Sequence, residues 1–154
     1  MQIEINYKKE VVRMIRKLKE KDINIVMEIW LETNISAHNF ISKEYWMNNY
    51  EFVKNELPKS EIYVYEERDN IYGFIGIING YIEGIFVKEE HQSKGIGKKL
   101  LDYCKEKYSK LLLNVYEKNY NAIRFYNREK FKIIGKKIDS TTKEVEYDME
   151  WKKK

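Results

Sequence analysis

One cysteine, one proline and two histidines in 154 residues remove several classes of function at the outset. Cys104 has no partner for an intramolecular disulfide. Two histidines and one cysteine offer no metal-ligand spacing, so no metal is expected. No apolar run approaches the roughly 20 residues a membrane helix requires. The opening segment MQIEINYKKEVVRMIRKLK lacks the apolar core of an export signal. No membrane partner is therefore expected, and the cytoplasm is the default location. Charge of one sign is scarce too: 29 Lys and Arg face 25 Asp and Glu, a net of +4, and the basic residues are interleaved with acids. That pattern argues against nucleic acid. With no repeat, low-complexity tract or Pro/Gly-rich linker, the chain reads as one soluble domain, 43% hydrophobic and 35% charged, long enough to bury a core. Heavy use of Lys, Ile, Asn, Tyr and Glu suggests an AT-rich bacterial genome.

Glycine is sparse, at seven residues, yet two of them stand together at Gly95 and Gly97. The strand Ile82 to Val87 runs into a charged loop ending Gln92-Ser93-Lys94-Gly95-Ile96-Gly97, and a helix opens with Lys98-Lys99-Leu100-Leu101. Two glycines at a strand-to-helix junction bare the backbone N–H groups at the positive end of a helix dipole, a ready site for a pyrophosphate. Lys94, Lys98 and Lys99 add positive charge. A dinucleotide fingerprint fails because Leu100 stands where a third small residue belongs. A P-loop fails because its Gly-Lys-Ser/Thr is missing.

Periodicity supplies the frame. Residues 14–18 predict a first strand, with Asp22 capping a helix that carries Ile25, Ile29 and Trp30. A second helix is expected over 43–55, ended by Leu57-Pro58. Strands 62–65, 71–78 and 81–87 form an antiparallel meander, with Asn79-Gly80 as a hairpin turn. After a helix from Gly97 to Tyr108, strand 111–115 should lie parallel to 82–87 through a right-handed crossover. A helix over 121–129, with Asn121 as its N-cap, and strands 131–138 and 144–151 complete the order. The last strand alternates Val145, Tyr147, Met149 and Trp151 with Glu144, Glu146, Asp148 and Glu150. The carboxylates should pair with Lys132, Lys136 and Lys137, or else attract a cationic substrate. Cys104, spaced with Leu100 and Tyr108 on one helix face, reads as a buried structural thiol. Residues 1–13 read as an N-terminal extension to a single domain at 14–154. Lys9-Glu10 can be encoded by a ribosome-binding-like AAGGAG, so Met14 is the expected natural start.

A second constellation follows the first: Asn114-Val115, then Asn119-x-x-Ala122-x-x-Phe125-Tyr126, closed by Lys130-Phe131. Together with the Gln92-x-x-Gly95-x-Gly97 loop and the order of elements, it resembles the GNAT superfamily of acyl-CoA-dependent N-acetyltransferases. The resemblance runs from Met14 to Trp151. It implies an α/β mixed sheet, mostly antiparallel, with a splayed parallel strand pair and flanking helices. It implies acetyl-CoA as cosubstrate, its arm pairing with the backbone of Ile85, Phe86 and Val87 like an added strand. Its pyrophosphate would rest on the segment Gln92, Ser93, Lys94, Gly95, Ile96, Gly97 and Lys98, with Asn119 as a side-chain contact.

The same resemblance implies transfer by direct attack of a primary amine. An amine with a pKa of about 10.4 must first lose a proton. Glu83, on the strand entering the splay, is the expected base. Asn114 stands where some relatives carry a catalytic glutamate; an amide is no base, but it could orient the amine or a water. Tyr126 matches the proton-donating tyrosine, and the N–H of Val87 or Phe86 could hold the oxyanion. Asn34, His38 and Trp46 lie in the stretch that would roof the acceptor. A small-molecule amine is preferred to a protein N-terminus or lysine, because no peptide-binding module is added. The alternatives are a non-catalytic acyl-CoA sensor, kept open by Asn114, and a plain nucleotide-phosphate binder. Either a monomer or a homodimer fits.

Overall fold

The computed structural model describes residues 12–154. Its seven strands are β1 (Arg13–Lys17), β2 (Glu61–Glu67), β3 (Asn70–Ile78), β4 (Tyr81–Val87), β5 (Lys110–Tyr116), β6 (Lys132–Ile138) and β7 (Val145–Lys152). The four α-helices are α1 (Ile23–Ala37), α2 (Lys43–Glu56), α3 (Ile96–Lys105) and α4 (Tyr120–Arg128). One sheet takes all seven strands in the order β1-β2-β3-β4-β5-β7-β6. Only β4 and β5 run parallel. The mixed, mostly antiparallel architecture expected from the sequence is present. Of the expected extension, residues 1–11 lie outside the described residues. The strand boundary read at Met14 falls one residue inside β1, since Arg13 opposes Glu67 and the Arg68 N–H reaches Val12 O at 3.3 Å.

Apolar alternation divides the core between the two faces. Ile62, Val64 and Phe74 turn toward α1 and α2, meeting Val26, Met27, Ile29, Trp30 and Trp46. Ile75, Ile77, Ile82, Leu111, Leu113, Val115 and Met149 turn the other way, onto Ile96, Leu100, Leu101 and Tyr126 of α3 and α4. Cys104 is fully buried there, and burial pushes its thiol up to about 12, so it is an inert packing residue.

Two caps differ from expectation. Asp22 does not cap α1: its carboxylate accepts from both guanidinium nitrogens of Arg16 (2.7 and 3.1 Å) and from the Lys19 N–H (2.8 Å). A buried cation nearby outbids a local cap. Asn121 does not cap α4 either; it bonds to Arg124 one turn on. The cap is Asn119, whose side-chain oxygen accepts from the Ala122 N–H at 3.3 Å.

At its far end α4 closes with a six-to-one turn. Phe131 N–H reaches Tyr126 O at 3.0 Å and Lys130 N–H reaches Asn127 O at 3.1 Å, while the Phe131 ring packs edge-on to Tyr126. This closure needs a left-handed residue at position 130, where the chain has lysine at φ 72° instead of glycine. Lys130→Gly should therefore raise stability by about 1 kcal/mol, or about 2–4 °C in Tm. A thermal melt at or below the parent's would contradict this account of the turn.

Candidate active site

The opening between β4 and β5 arises from one extra residue. Gly76 opposes Gly84 and Ile77 opposes Ile82, so Glu83 is bulged out of the β3–β4 ladder. A bulge bends its strand and sharpens its twist. The β4–β5 ladder stops at that point, after only Tyr81↔Leu112 and Ile82↔Leu113. From Glu83 onward β4 continues to pair with β3, yet its other edge faces no strand among the described residues. The β4 edge from Ile85 to Val87 is thus open to an added extended chain, although Val87 O already accepts from Gln92. Gly84 leaves room for the Phe86 ring, which folds across it where a Cβ would otherwise clash.

Beyond β4 the chain enters the glycine loop. Gln92 ties it back, its side-chain amide donating to Val87 O at 2.9 Å. Ser93 (φ 62°) and Gly95 (φ 84°) are both left-handed, which turns successive N–H groups inward before α3 begins. Lys99 is the first residue to close a helical bond, onto Gly95 O. The amides of Ile96, Gly97 and Lys98 are thus the orphan donors of the first turn. A methyl group at Gly97 would meet only ordinary contacts, 3.6 Å to Phe125 and 3.8 Å to Ile85. Packing within the protein does not demand glycine there, so the bare backbone leaves room for a ligand. The amides suit a diphosphate and the open β4 edge suits an amide-bearing arm, which together match coenzyme A. Lys98 spends its ammonium elsewhere, pairing with Asp102 (3.1 Å) and Glu129 (3.2 Å). Lys94 is exposed at the loop, and His91 stacks on Tyr72 at its edge.

Tyr126 rises from α4 toward the opening, wedged between Phe125 and Phe131. It is 7% exposed, and its hydroxyl has no hydrogen-bond partner among the described residues. Burial, with a contribution from Tyr81, pushes its phenol above the usual range. It keeps its proton throughout the physiological range and can act as a proton donor but not as a base.

On the α1/α2 side of the opening, the Tyr81 hydroxyl donates to Asn114 Oδ1, and Asn114 Nδ2 donates to Asp148 Oδ1. Asn114 is thus engaged between two neighbours. Glu83 is exposed and accepts from Ser60 Oγ at 2.5 Å. It borders a cavity of about 270 Å³ walled by Trp30, Phe52, Phe74 and Phe86. Glu146 adds a carboxylate whose pKa is raised, chiefly by burial. Of the expected lysine partners on β6, Lys137 meets both Glu146 (3.8 Å) and Asp148 (3.4 Å), whereas Lys136 turns to Glu117. Tyr81 and Asp148 are site residues that sequence reasoning missed as such. Asp148 had a signal, the acidic face of the last strand. What hid its role is that β7 lies between β5 and β6 and sets Asp148 opposite Asn114.

His38 ends α1 and is brought against Asn119. Because Asn119 Oδ1 is committed to the α4 cap, its Nδ2 donates to His38 Nε2 (3.2 Å), so His38 Nδ1–H donates to Asn34 O (3.0 Å). Burial lowers the His38 pKa, and the neutral ring stacks on Trp46 at 5.1 Å. Trp46 (8% exposed) and Asn34 (5%) lie behind it, inside the α1/α2 core. Of the three expected acceptor residues, His38 alone is partly exposed. Asn119 thus holds the His38 ring as well as capping α4. Among the described residues no group of three His, Cys, Asp or Glu is arranged to hold a metal.

Comparison with known proteins bears on this arrangement. A family model described as an acetyltransferase (GNAT) domain matches residues 58–133. The peptidyl-lysine N-acetyltransferase YiaC of Escherichia coli is 31% identical over 140 residues, 90% of this chain and 96% of that protein. The solution structure of apo YjaB from Escherichia coli superposes with a TM-score of 0.82 at 24% identity, over 93% of this chain and 99% of that one. The PaiA N-acetyltransferase of Thermoplasma acidophilum, crystallised with coenzyme A, reaches 0.74 at 24% identity, over 92% and 99%.

Proposed function

The chain belongs to the GNAT family of acetyltransferases, and from that premise we propose that it moves the acetyl group of acetyl-CoA to the side-chain amine of a lysine in a peptide or protein. The observation that carries the reading is the two-sided opening at the Glu83 bulge. One side holds orphan amides, an open strand edge and a buried phenol; the other holds Glu83, Glu146 and Asp148. Bound there, the cosubstrate supplies an acetyl group activated as a thioester.

The protein's residues supply the rest. The backbone of Ile85, Phe86 and Val87 holds the arm, and the loop from Gln92 to Lys98 holds the diphosphate. Tyr126 Oη delivers a proton to the departing sulfur and is reprotonated, by way of solvent, with the second proton the nitrogen loses as the amide forms. Glu83, kept in place by Ser60, takes a proton from the incoming ammonium. The aromatic wall beside Glu83 suits the four-methylene stem of lysine, and the Glu83 carboxylate suits its charge. A lysine acceptor is placed ahead of the free small molecule that the lack of a peptide module suggested. YiaC, alike over nearly its whole length, is named for peptidyl-lysine. The sensor alternative rested on Asn114 as an empty base position, and that side chain is instead bonded at both ends. The cytoplasm remains our proposed location; among the described residues, no helix is long and apolar enough to cross a membrane.

Mass spectrometry tests the reading. Incubation with acetyl-CoA should add 42 Da (about 42, one acetyl for one hydrogen) to the lysine of a peptide with a blocked N-terminus. A lysine-free peptide with a free N-terminus should remain unmodified. Modification of the second peptide alone would reject lysine as the acceptor.

A further inference from the structure

The Tyr81–Asn114–Asp148 chain has a fixed direction. A carboxylate only accepts, so the Asn114 amide must turn its Nδ2–H toward Asp148 and its Oδ1 toward Tyr81. An amide oxygen also only accepts, so the single phenolic proton of Tyr81 goes to Asn114. What Tyr81 has left is lone pairs. Its oxygen is a pure hydrogen-bond acceptor, and the residue as a whole is 39% exposed. Gly135 on β6 helps hold this chain in register, since a Cβ there would sit 2.8 Å from Asp148 Oδ2.

Tyr81 sits where the last β4–β5 pairs end, two residues before the Glu83 bulge. Burial and then the carboxylates of Glu146, Glu83 and Asp148 keep its phenol protonated. Lys137 already pairs with Glu146 and Asp148, which leaves Glu83 as the carboxylate facing an incoming cation. Tyr126 on α4 offers the opposite property: a hydroxyl with no hydrogen-bond partner among the described residues.

We propose that Tyr81 receives the acceptor: its oxygen, turned into an obligate hydrogen-bond acceptor by Asn114 and Asp148, takes one N–H of a primary ammonium and aims that nitrogen into the β4–β5 opening. This rests on the acetyltransferase reading above. It selects a primary amine, which has N–H groups for both Tyr81 and a base. A hydroxyl acceptor would use its one proton on Tyr81.

Steady-state kinetics of Tyr81→Phe with a lysine peptide test it. The acceptor KM should rise roughly tenfold or more, while the KM for acetyl-CoA stays within about twofold. Asn114→Ala releases the Tyr81 proton to compete for the same lone-pair position and should move the acceptor KM in the same direction. Equal acceptor KM in Tyr81→Phe and parent would overturn the proposal, as would parallel shifts in both substrates. Should the parent bind acetyl-CoA but modify no lysine peptide, the lysine reading itself fails. NMR titration of the coenzyme A-bound protein with a simple primary amine, butylamine, then decides the role of Tyr81 alone. Weaker binding by Tyr81→Phe supports it, and equal binding refutes it.

Discussion

Tyr126→Phe is expected to lower kcat by about 10²–10⁴-fold, the range for loss of a positioned general acid, with coenzyme A affinity unchanged. The substitution removes one oxygen and nothing else. Phenylalanine keeps the edge contacts to Phe125 and Phe131 and the closure of α4 through the backbone of residue 126. The hydroxyl has no partner among the described residues, so stability should hold or rise slightly, in contrast to the usual cost of a core substitution. Reference values of about 10 for a phenol and about 8.5 for a thiol make proton delivery uphill by about 2 kcal/mol in water. Burial raises the phenol further, but the sulfur leaving beside it is desolvated too, which strengthens its demand for the proton. Thiol release measured under saturating substrates, with calorimetric titration of coenzyme A and a thermal melt, separates the cases. A loss below about threefold would make Tyr126 a packing residue only. A parallel loss of coenzyme A binding would make it a cofactor contact.

The positions of Gly95 and Gly97 at a strand-to-helix junction and of Tyr126 on a short helix were readable in the sequence because each is a local pattern. The strand order was readable for a related reason, since turn residues and connection lengths leave few ways to pair neighbouring strands. What could not be read depends on register between strands far apart in the chain. Asn114 was marked as a lost base from its position alone. Its bonds to Tyr81 and Asp148 require β4, β5 and β7 to align to within one residue. Single-residue slips decide such alignments, and the Glu83 bulge is one of them. The same limit explains His38 and Asn119, which are distant in sequence and meet where α1 ends and α4 begins. Local cap preferences misled at Asp22 and Asn121 for different reasons. At Asp22 the guanidinium of Arg16 competes with the local backbone, whereas α4 opens at Tyr120, earlier than read, so Asn121 lies inside the helix and Asn119 takes the cap.

The Asp22 pairing leads to the largest stability effect expected in this protein. Arg16 on β1 spans two carboxylates, Asp22 in the turn before α1 (2.7 Å) and Glu66 on β2 (3.1 Å), with side-chain exposures of 13%, 4% and 16%. Asp22→Ala leaves the guanidinium largely buried with half its partners gone and strands the Lys19 N–H. A loss of about 3–5 kcal/mol follows, roughly 10–15 °C in Tm. Replacing the whole cluster, Arg16→Met with Asp22→Leu and Glu66→Gln, should recover a large part of that loss, because no unpaired charge then remains in it. pH supplies an independent check. Burial opposes ionisation of Asp22, but Arg16 and the Lys19 N–H outweigh it and hold the folded-state pKa below its ordinary value. A depressed folded pKa means the unfolded state takes up the proton first. The stabilisation is then fully present above about pH 4 and drains away as the pH falls through the folded pKa. Urea unfolding of parent and Asp22→Asn should therefore differ most near neutrality and converge in acid. A difference that stays constant down to about pH 2 would mean that the charge on Asp22 contributes nothing and that only its shape matters.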